Sequence, residues 1–305
     1  MIKKLCFLFL TASLFLVCAN AKTKKKYLAL GDSITYGYGL ENREEECFAH
    51  LLSNKYDFEL TNEAVTGDKS TDLLAKLDNY NIDDYDVITL CIGANDVLRE
   101  FIDKFLELPT GEMLEFMANV NEDEEFNKKI EENLATLDKN LSIIMPRLKE
   151  GHAQIYMMNI YNPYRGCALP TLEKIADPYI QKINKVVEKY AKDVYFVNLY
   201  SEFKKIDKDI INSSKASTMY DPHPNAEGHK EIARILTDKY YQYNAETKNI
   251  IMLIVFSVCV VVLETLEIAY TLKKFVVKPI IKSNDAPKEE VKTEEKEGSS
   301  RFIRS

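Results

Sequence analysis

Four side chains of the types that catalyse acyl transfer occur at widely spaced points of the chain. Ser33 lies in the segment Gly31-Asp32-Ser33 directly after an apolar run, and Asn95 follows a second apolar run. Asp221 and His223 lie much later in the sequence. Acyl transfer needs a hydroxyl nucleophile, a base that takes its proton, a group that orients the base, and N–H donors for the developing oxyanion. These residue types therefore indicate acyl-transfer chemistry.

Each of these side chains has a predicted role. Ser33 is the candidate nucleophile, and His223 is the best candidate base among the four histidines because Pro222 and Pro224 flank it and keep it in a loop. Asp221, two residues before His223, is the candidate for orienting the imidazole. Two alternatives remain open for Asp221. Asp-Pro is itself a turn signal, and a backbone carbonyl could orient the ring instead.

The blocks that carry these residues resemble the SGNH, or GDSL, family of serine esterases and lipases. The resemblance covers roughly residues 27 to 240, in the order Gly31-Asp32-Ser33-Ile34-Thr35, Asn62 to Asp68, Gly93-Ala94-Asn95-Asp96 and the stretch around His223. The segment Tyr36 to Leu40 resembles the arylesterase and lysophospholipase branch. The chain departs from the family pattern at one point, because the family places its aspartate three residues before the histidine, where this chain has Tyr220.

The resemblance implies an oxyanion hole with three donors and a site that needs no metal or other cofactor. The donors are the backbone N–H groups of Ser33 and Gly67 and the side-chain amide of Asn95. Glycine at position 67 lets the backbone approach a substrate closely. Asp32 and Asp96 are expected to hold loops through backbone hydrogen bonds.

The elements that position these residues alternate between strand-like and helix-like segments, which predicts a parallel sheet of about five strands with helices on both faces. The resemblance implies the same class, a flavodoxin-like three-layer α/β/α fold. Ser33, Gly67 and Asn95 each follow a strand-like run, so they should meet beyond the carboxyl ends of the strands. The predicted strands cover 27–30, 58–60, 86–92, 154–160 and 194–199, and the predicted helices 44–55, 70–77, 124–148, 171–190 and 226–241. Residues 97–123 are predicted to form an insertion near the site, as a lid or a substrate wall.

The two ends of the chain predict export and membrane anchoring. Residues 1–21 have the charged start, apolar core and small-residue cleavage site of a signal peptide. Residues 249–272 are predicted to form a transmembrane helix, since a span needs about 20 mostly apolar residues. An amphipathic helix lying on a surface is the alternative. These predictions leave residues 22–248 as the hydrolase domain and 273–305 as a charged, disordered tail.

Charge and cysteine content narrow the location and the partners. Lys273, Lys274 and Lys278 follow the apolar stretch and place the tail in the cytoplasm, with the catalytic region outside a bacterial cell membrane. The formal net charge of −8 gives no electrostatic support for nucleic-acid binding. The three cysteines of the predicted outer domain, Cys47, Cys91 and Cys167, form no metal or disulfide pattern.

The sequence therefore predicts a membrane-anchored serine ester hydrolase that acts outside the cytoplasm. Acetylated glycan, lysophospholipid and short-chain acyl esters are all compatible substrates. One alternative is a transferase or deacetylase that moves acetyl groups on or off cell-wall or other polysaccharide. Another is a surface binding or sensor protein without catalysis, against which the presence of Ser33, Asn95 and His223 counts.

Overall fold

The structure, a computed structural model, describes residues 24–109, 111–167, 169–215 and 221–283. Of these, residues 24–242 belong to one compact unit and residues 243–283 belong to a second. The predicted signal peptide and the tail beyond residue 283 lie outside the described residues.

The first unit is built on a five-stranded sheet in which every pairing is parallel. The strand order is β2-β1-β3-β4-β5, as in a flavodoxin-like fold. The strands are β1 Lys26–Gly31, β2 Glu59–Asn62, β3 Val87–Cys91, β4 Gln154–Met158 and β5 Tyr195–Val197. Every predicted strand is present, although β3, β4 and β5 are shorter than predicted. The predicted fold class is therefore confirmed.

Burial along the strands explains why their sequences are so apolar. All five residues of β3 are buried, and so are Tyr27 to Gly31 of β1, because helices cover both faces of the central strands. The edge strands β2 and β5 are only partly buried, and β2 carries a more polar sequence than the central strands. The main hydrophobic core consists of these central strands and the helix faces that pack on them.

Two groups of helices cover the sheet. The first group consists of Ser70–Lys76, Ala94–Glu107, Glu124–Leu148 and Pro170–Glu188, and the other three helices all contact Glu124–Leu148. The second group contains Phe48–Tyr56 and the first turns of the helix that begins at Ala226. Stacking of Phe48 on His229 and ring contact between Tyr56 and Tyr240 join these two helices. This arrangement is the expected three-layer α/β/α architecture.

One helix that the sequence predicts as continuous is broken in the structure. Residues 44–55 were expected to form a single helix, but the structure has two, Arg43–Glu46 and Phe48–Tyr56. Cys47 separates them because its backbone is extended and its thiol donates a hydrogen bond to the carbonyl oxygen of Thr35, 3.3 Å away. This tertiary contact draws the chain inward at the break.

The last helix is predicted to cover residues 226–241, but in the structure it runs from Ala226 to Ser283. Residues 242–249 contain neither glycine nor proline, so nothing in the sequence stops the helix between the two apolar segments. Among the described residues, this is the one helix long and apolar enough to cross a membrane. Its most apolar 18-residue window has a mean hydropathy of 2.5 and is entirely unburied.

Candidate active site

Ser33 lies at a tight turn between β1 and a short helix, Ser33–Tyr36. Gly31 makes this turn possible. A Cβ atom at that position would lie 2.3 Å from Thr35 Oγ1 and 2.4 Å from the carbonyl oxygen of Cys91. The Asp32 side chain caps the helix, since its Oδ1 accepts the Ile34 N–H over 3.0 Å. The serine is therefore held by a backbone that tolerates little change.

Ser33 and His223 are brought together although 190 residues separate them in sequence. The Ser33 hydroxyl oxygen lies 2.9 Å from His223 Nε2, and the Asp221 Oδ1 atom lies 2.6 Å from His223 Nδ1. The same carboxylate oxygen accepts the backbone N–H of His223 over 3.1 Å. An imidazole held in this way can take a proton from a hydroxyl while a carboxylate fixes its orientation.

The loop that carries His223 is held from several directions. Its neighbouring residues pair with the segment 210–212: the Asn212 N–H donates to the His223 carbonyl over 3.0 Å, and the Asn225 N–H to the Ile210 carbonyl over 3.1 Å. The Tyr161 hydroxyl donates to the carbonyl of Pro222 over 2.8 Å. These contacts fix the backbone on both sides of the imidazole.

Asn212 was not singled out from the sequence. Its side-chain amide donates to Asp221 Oδ2 over 3.0 Å, so that both oxygens of this carboxylate have partners. No sequence signal identified this asparagine, because its contact depends on how two loops meet. Tyr38 was also missed as an individual residue, although it lies in the quoted segment after the serine. Its ring centroid lies 4.7 Å from that of His223.

The three predicted oxyanion donors follow β1, β2 and β3. Ser33 and Asn95 lie in the first turns of helices, and Gly67 lies in a loop. The Asn95 amide nitrogen donates to the carbonyl of Asp68 over 3.0 Å, which holds this side chain against the loop that contains Gly67. That bond uses one of the two amide hydrogens and leaves the other for a ligand. Gly67 has a left-handed backbone with φ of 88°. In the described part of the chain, no carbonyl or side chain accepts the N–H of Ser33 or Gly67.

Asp96 and Asp32 hold loops, as expected. The Asp96 carboxylate accepts both the N–H and the hydroxyl of Ser70, and the Asn140 amide donates to the same hydroxyl over 2.9 Å. Burial raises the pKa of Asp96. Asp32 is also buried. Its Oδ1 caps the serine helix, but its Oδ2 has no hydrogen-bond partner among the described residues.

Asp32 gives a testable dependence of stability on pH. Burial raises the pKa of Asp32 to about 7 from 3.8 in spite of the bond from Ile34. Between these values the folded protein holds a proton that the unfolded chain has lost, so the free energy of unfolding falls as pH rises and the penalty is complete above about pH 7. We expect Asp32→Asn to be more stabilising, or less destabilising, at pH 8 than at pH 5.

Chemical denaturation of both proteins at the two pH values measures this effect. The mutation changes the free energy of unfolding by one amount at pH 5 and by another at pH 8, and any pH-independent cost of burying the new amide group cancels in the difference between them. Asparagine also keeps the side-chain oxygen that accepts the Ile34 N–H. An equal change at pH 5 and pH 8 would show that Asp32 does not carry this penalty.

The remaining described histidines do not compete with His223. His229 is fully buried, accepts the Phe48 N–H on Nδ1 over 3.3 Å, and stacks on the Phe48 ring. Burial lowers its pKa to about 3, so it stays neutral in the core. His50 lies within a helix, and His152 faces Asp86 at 3.6 Å on an exposed surface. The contacts of His229 are those of a packed core residue, the role that the sequence favoured.

Cysteines and acidic side chains form no further site in the described ranges. Cys47, Cys91 and Cys167 are buried free thiols, and Cys91 is a core residue of β3, as expected. No group of three or more His, Cys, Asp or Glu side chains in these ranges could hold a metal ion.

The segment predicted as an insertion is folded over its described residues. It contains most of the helix Ala94–Glu107, then the helix Met113–Asn119 and a 3₁₀ turn, Val120–Glu122. Met117 packs with Cys167 and Leu172 in a small hydrophobic cluster separate from the main core. This packing ties the insertion to the chain around residue 167.

An α/β fold that aligns a serine, a histidine and a carboxylate is an arrangement that can hydrolyse esters. The chain belongs to the GDSL-like lipase/acylhydrolase family, whose model matches residues 29–231. The family resemblance seen in the sequence is therefore confirmed, and membership supports an enzyme that hydrolyses esters. A comparison with curated protein sequences finds no match.

Two solved structures share the fold. Phospholipase A1 from Streptomyces albidoflavus NA297 has 16% identity and a TM-score of 0.53, over 71% of this chain and 100% of that chain. An extracellular lipase from Streptomyces rimosus has 21% identity and a TM-score of 0.52, over 70% of this chain and 99% of that chain. At these identities the similarity concerns the fold alone.

Proposed function

We propose that this protein is a serine ester hydrolase in which Ser33, His223 and Asp221 form the catalytic triad. The observation that carries the proposal is the unbroken chain of contacts from the Ser33 hydroxyl through the imidazole to the Asp221 carboxylate, at 2.9 and 2.6 Å. Membership of a lipase/acylhydrolase family supports the same chemistry. A surface-binding role requires no such alignment.

In the proposed mechanism, His223 Nε2 takes the Ser33 proton while the serine oxygen bonds to the acyl carbon. The carbonyl oxygen becomes an oxyanion, which the N–H groups of Ser33 and Gly67 and the Asn95 amide stabilise. His223 then gives its proton to the departing alcohol oxygen as the carbon–oxygen bond breaks. Water attacks the acyl-serine in the same manner, releasing the acid and returning the proton to Ser33.

The experiment that tests the proposal is hydrolysis of a p-nitrophenyl ester series, from acetyl to long acyl chains, by the full-length protein in detergent. We expect turnover, and the preferred chain length separates a deacetylase from a lipase-like enzyme. A folded protein that releases no p-nitrophenol from any ester would contradict the proposal.

Asp221 provides a graded test of the triad. We expect Asp221→Asn to lower kcat/KM by about 10²- to 10⁴-fold, because an amide can donate to Nδ1 and hold the tautomer that carries its proton on Nε2. The loss should be smaller than that from removing Ser33, since the Asp221 side chain is 31% exposed and water can assist. Steady-state kinetics on p-nitrophenyl acetate measure it.

Asn212→Ala is the matched variant for this test. It removes the partner of Asp221 Oδ2 but leaves the oxygen that faces the imidazole. Its kcat/KM should therefore fall much less than that of Asp221→Asn. Full activity of Asp221→Asn would exclude this carboxylate from the triad and favour a backbone carbonyl in its place.

We also propose that the apolar part of the last helix anchors the enzyme in a membrane. Residues 249–272 would span the bilayer, residues 22–248 would form the hydrolase domain outside, and the tail from residue 273 would be cytoplasmic because of Lys273, Lys274 and Lys278. A signal peptide at residues 1–21 fits this orientation.

Carbonate extraction and protease treatment of intact cells test the anchor. We expect the protein to stay in the carbonate-washed membrane and its hydrolase domain to be digested from outside. Release by carbonate, or protection of that domain in intact cells together with digestion after lysis, would overturn the anchor or its orientation.

A further inference from the structure

Tyr38 is a half-exposed aromatic side chain that lies against the imidazole of His223. The two ring centroids are 4.7 Å apart with an angle of 46° between the ring planes. Tyr38 is 47% exposed, whereas the His223 side chain is only 17% exposed. One part of the tyrosine ring therefore covers the imidazole, and a large part remains open to a ligand.

The backbone at Tyr38 lies close to the nucleophile. Gly37 and Gly39 on either side both have left-handed conformations, with φ of 83° and 82°, which side chains with a Cβ adopt only with strain. The Tyr38 N–H donates to the carbonyl of Ser33 over 2.9 Å. The Tyr38 backbone is thus held at the end of the helix that carries the serine, and its ring forms a wall beside the imidazole.

The proposed mechanism states which half of an ester must approach this wall. His223 Nε2 gives its proton to the departing alcohol oxygen, so the alcohol part of the ester lies beside the imidazole when that bond breaks. The acyl carbonyl oxygen instead faces the amide donors at Gly67 and Asn95. A ring packed on the imidazole is therefore placed to contact the alcohol part and not the acyl oxygen.

We propose that Tyr38 is a specificity residue whose open ring face binds the alcohol part of the substrate and favours an alcohol with a flat or ring-shaped apolar face. Aromatic rings gain most from such partners, because stacked and edge-to-face pairs are favourable beyond the area they bury. A phenyl ring and the carbon face of a sugar ring share this chemistry. The inference rests on the hydrolase function proposed above.

The test compares three acetate esters that deliver the same acetyl group: benzyl acetate, hexyl acetate and a fully acetylated methyl glucoside. We expect Tyr38→Ala in the full-length protein to lower kcat/KM for at least one of the two ring-bearing esters by about tenfold more than for hexyl acetate. The ester whose kcat/KM falls more in Tyr38→Ala shows whether an aryl ring or a sugar ring is preferred. Tyr38→Phe should keep the preference because it keeps the ring.

Deacetylation separates specificity from simple support of His223. All three esters give the same acetyl-Ser33, and the alcohol has already left, so the rate of its hydrolysis should change less than twofold in Tyr38→Ala. Tyr36→Ala is the matched control, because that ring lies two residues away, carries the Arg43 guanidinium at 4.1 Å and is likewise partly exposed. It should leave the ratio between the esters unchanged.

Equal losses on all three esters, together with slower deacetylation, would overturn the proposal and make Tyr38 a positioning residue for His223. If the wild-type protein hydrolyses esters and Ser33→Ala does not, such a result counts against Tyr38 alone. If the wild-type protein hydrolyses none of them, the proposed function and this inference fail together.

Discussion

Replacing Ser33 with alanine is expected to reduce ester hydrolysis by about 10⁴-fold or more, while the protein stays folded. The loss follows because no other group can form the acyl bond in the proposed mechanism. The fold should survive because the serine hydroxyl contacts His223 and no structural partner in the described part of the chain. Steady-state hydrolysis of p-nitrophenyl acetate and circular dichroism measure the two effects.

Ser142→Ala is a suitable control for this experiment. Ser142 lies on the exposed surface of the helix Glu124–Leu148. Among the described residues its hydroxyl bonds only to the carbonyl of Lys139, so activity should be unchanged. If Ser33→Ala kept more than a few per cent of wild-type activity in a folded protein, Ser33 would not be the nucleophile.

The second large effect is expected for His223. We expect His223→Ala to lower kcat/KM to within about tenfold of the Ser33→Ala value, and the double variant to be no worse than Ser33→Ala alone. The reason is that the hydroxyl and imidazole act as one unit, since neither transfers a proton without the other. Kinetics of the two single variants and the double variant complete the cycle.

His152→Ala serves as the control for the histidine change. The His152 side chain is exposed, faces Asp86 and is not one of the proposed site residues. A His223→Ala enzyme with more than a tenth of wild-type activity would speak against the proposed base. Losses that multiply in the double variant would indicate that the two side chains act independently.

The strands could be predicted from the sequence because burial dictates their composition. β1 and β3 are covered on both faces, which leaves continuous apolar runs that end at polar site residues. The helix Glu124–Leu148 was predicted to the residue. Asp123 caps its start by accepting the Phe126 N–H, and Ile130, Leu134, Leu137, Leu141 and Ile144 form its buried face.

The bounds of two helices were predicted wrongly, one because a tertiary contact breaks the helix and the other because no residue ends it. Residues 44–55 have a helical pattern throughout, and only the bond from Cys47 to Thr35 explains why the helix breaks there. The last helix continues past residue 241 because nothing between the two apolar segments ends it. The apolar periodicity of one segment shows neither a contact with a distant residue, such as Thr35, nor whether a helix continues into the next segment.

The sequence could single out Ser33, Asn95 and His223 as candidates because residue type and order along the chain suffice for them. It could not single out the partners that surround them. Asn212 and Tyr161 meet the histidine loop only because the segment 210–212 pairs beside it and the chain after β4 packs under it. The position of Asp221, one residue nearer the histidine than the family pattern, left two alternatives open in the sequence.

The geometry gives a specific expectation for Asp221 that the sequence alone did not. Its Oδ1 lies 2.6 Å from His223 Nδ1, while the same oxygen accepts the backbone N–H of His223. A carboxylate two residues before a histidine can therefore reach the ring. The kinetics of Asp221→Asn decide its role in catalysis.

Covalent labelling of the nucleophile is the most direct test of the central claim. A p-nitrophenyl alkylphosphonate transfers its phosphorus to an activated serine oxygen and releases p-nitrophenolate, and peptide mass spectrometry locates the modified residue. We predict a single adduct on Ser33 in the full-length protein, much slower labelling in His223→Ala, and no adduct in Ser33→Ala. An adduct on a different residue, or an unmodified Ser33 in a folded protein, would contradict the account.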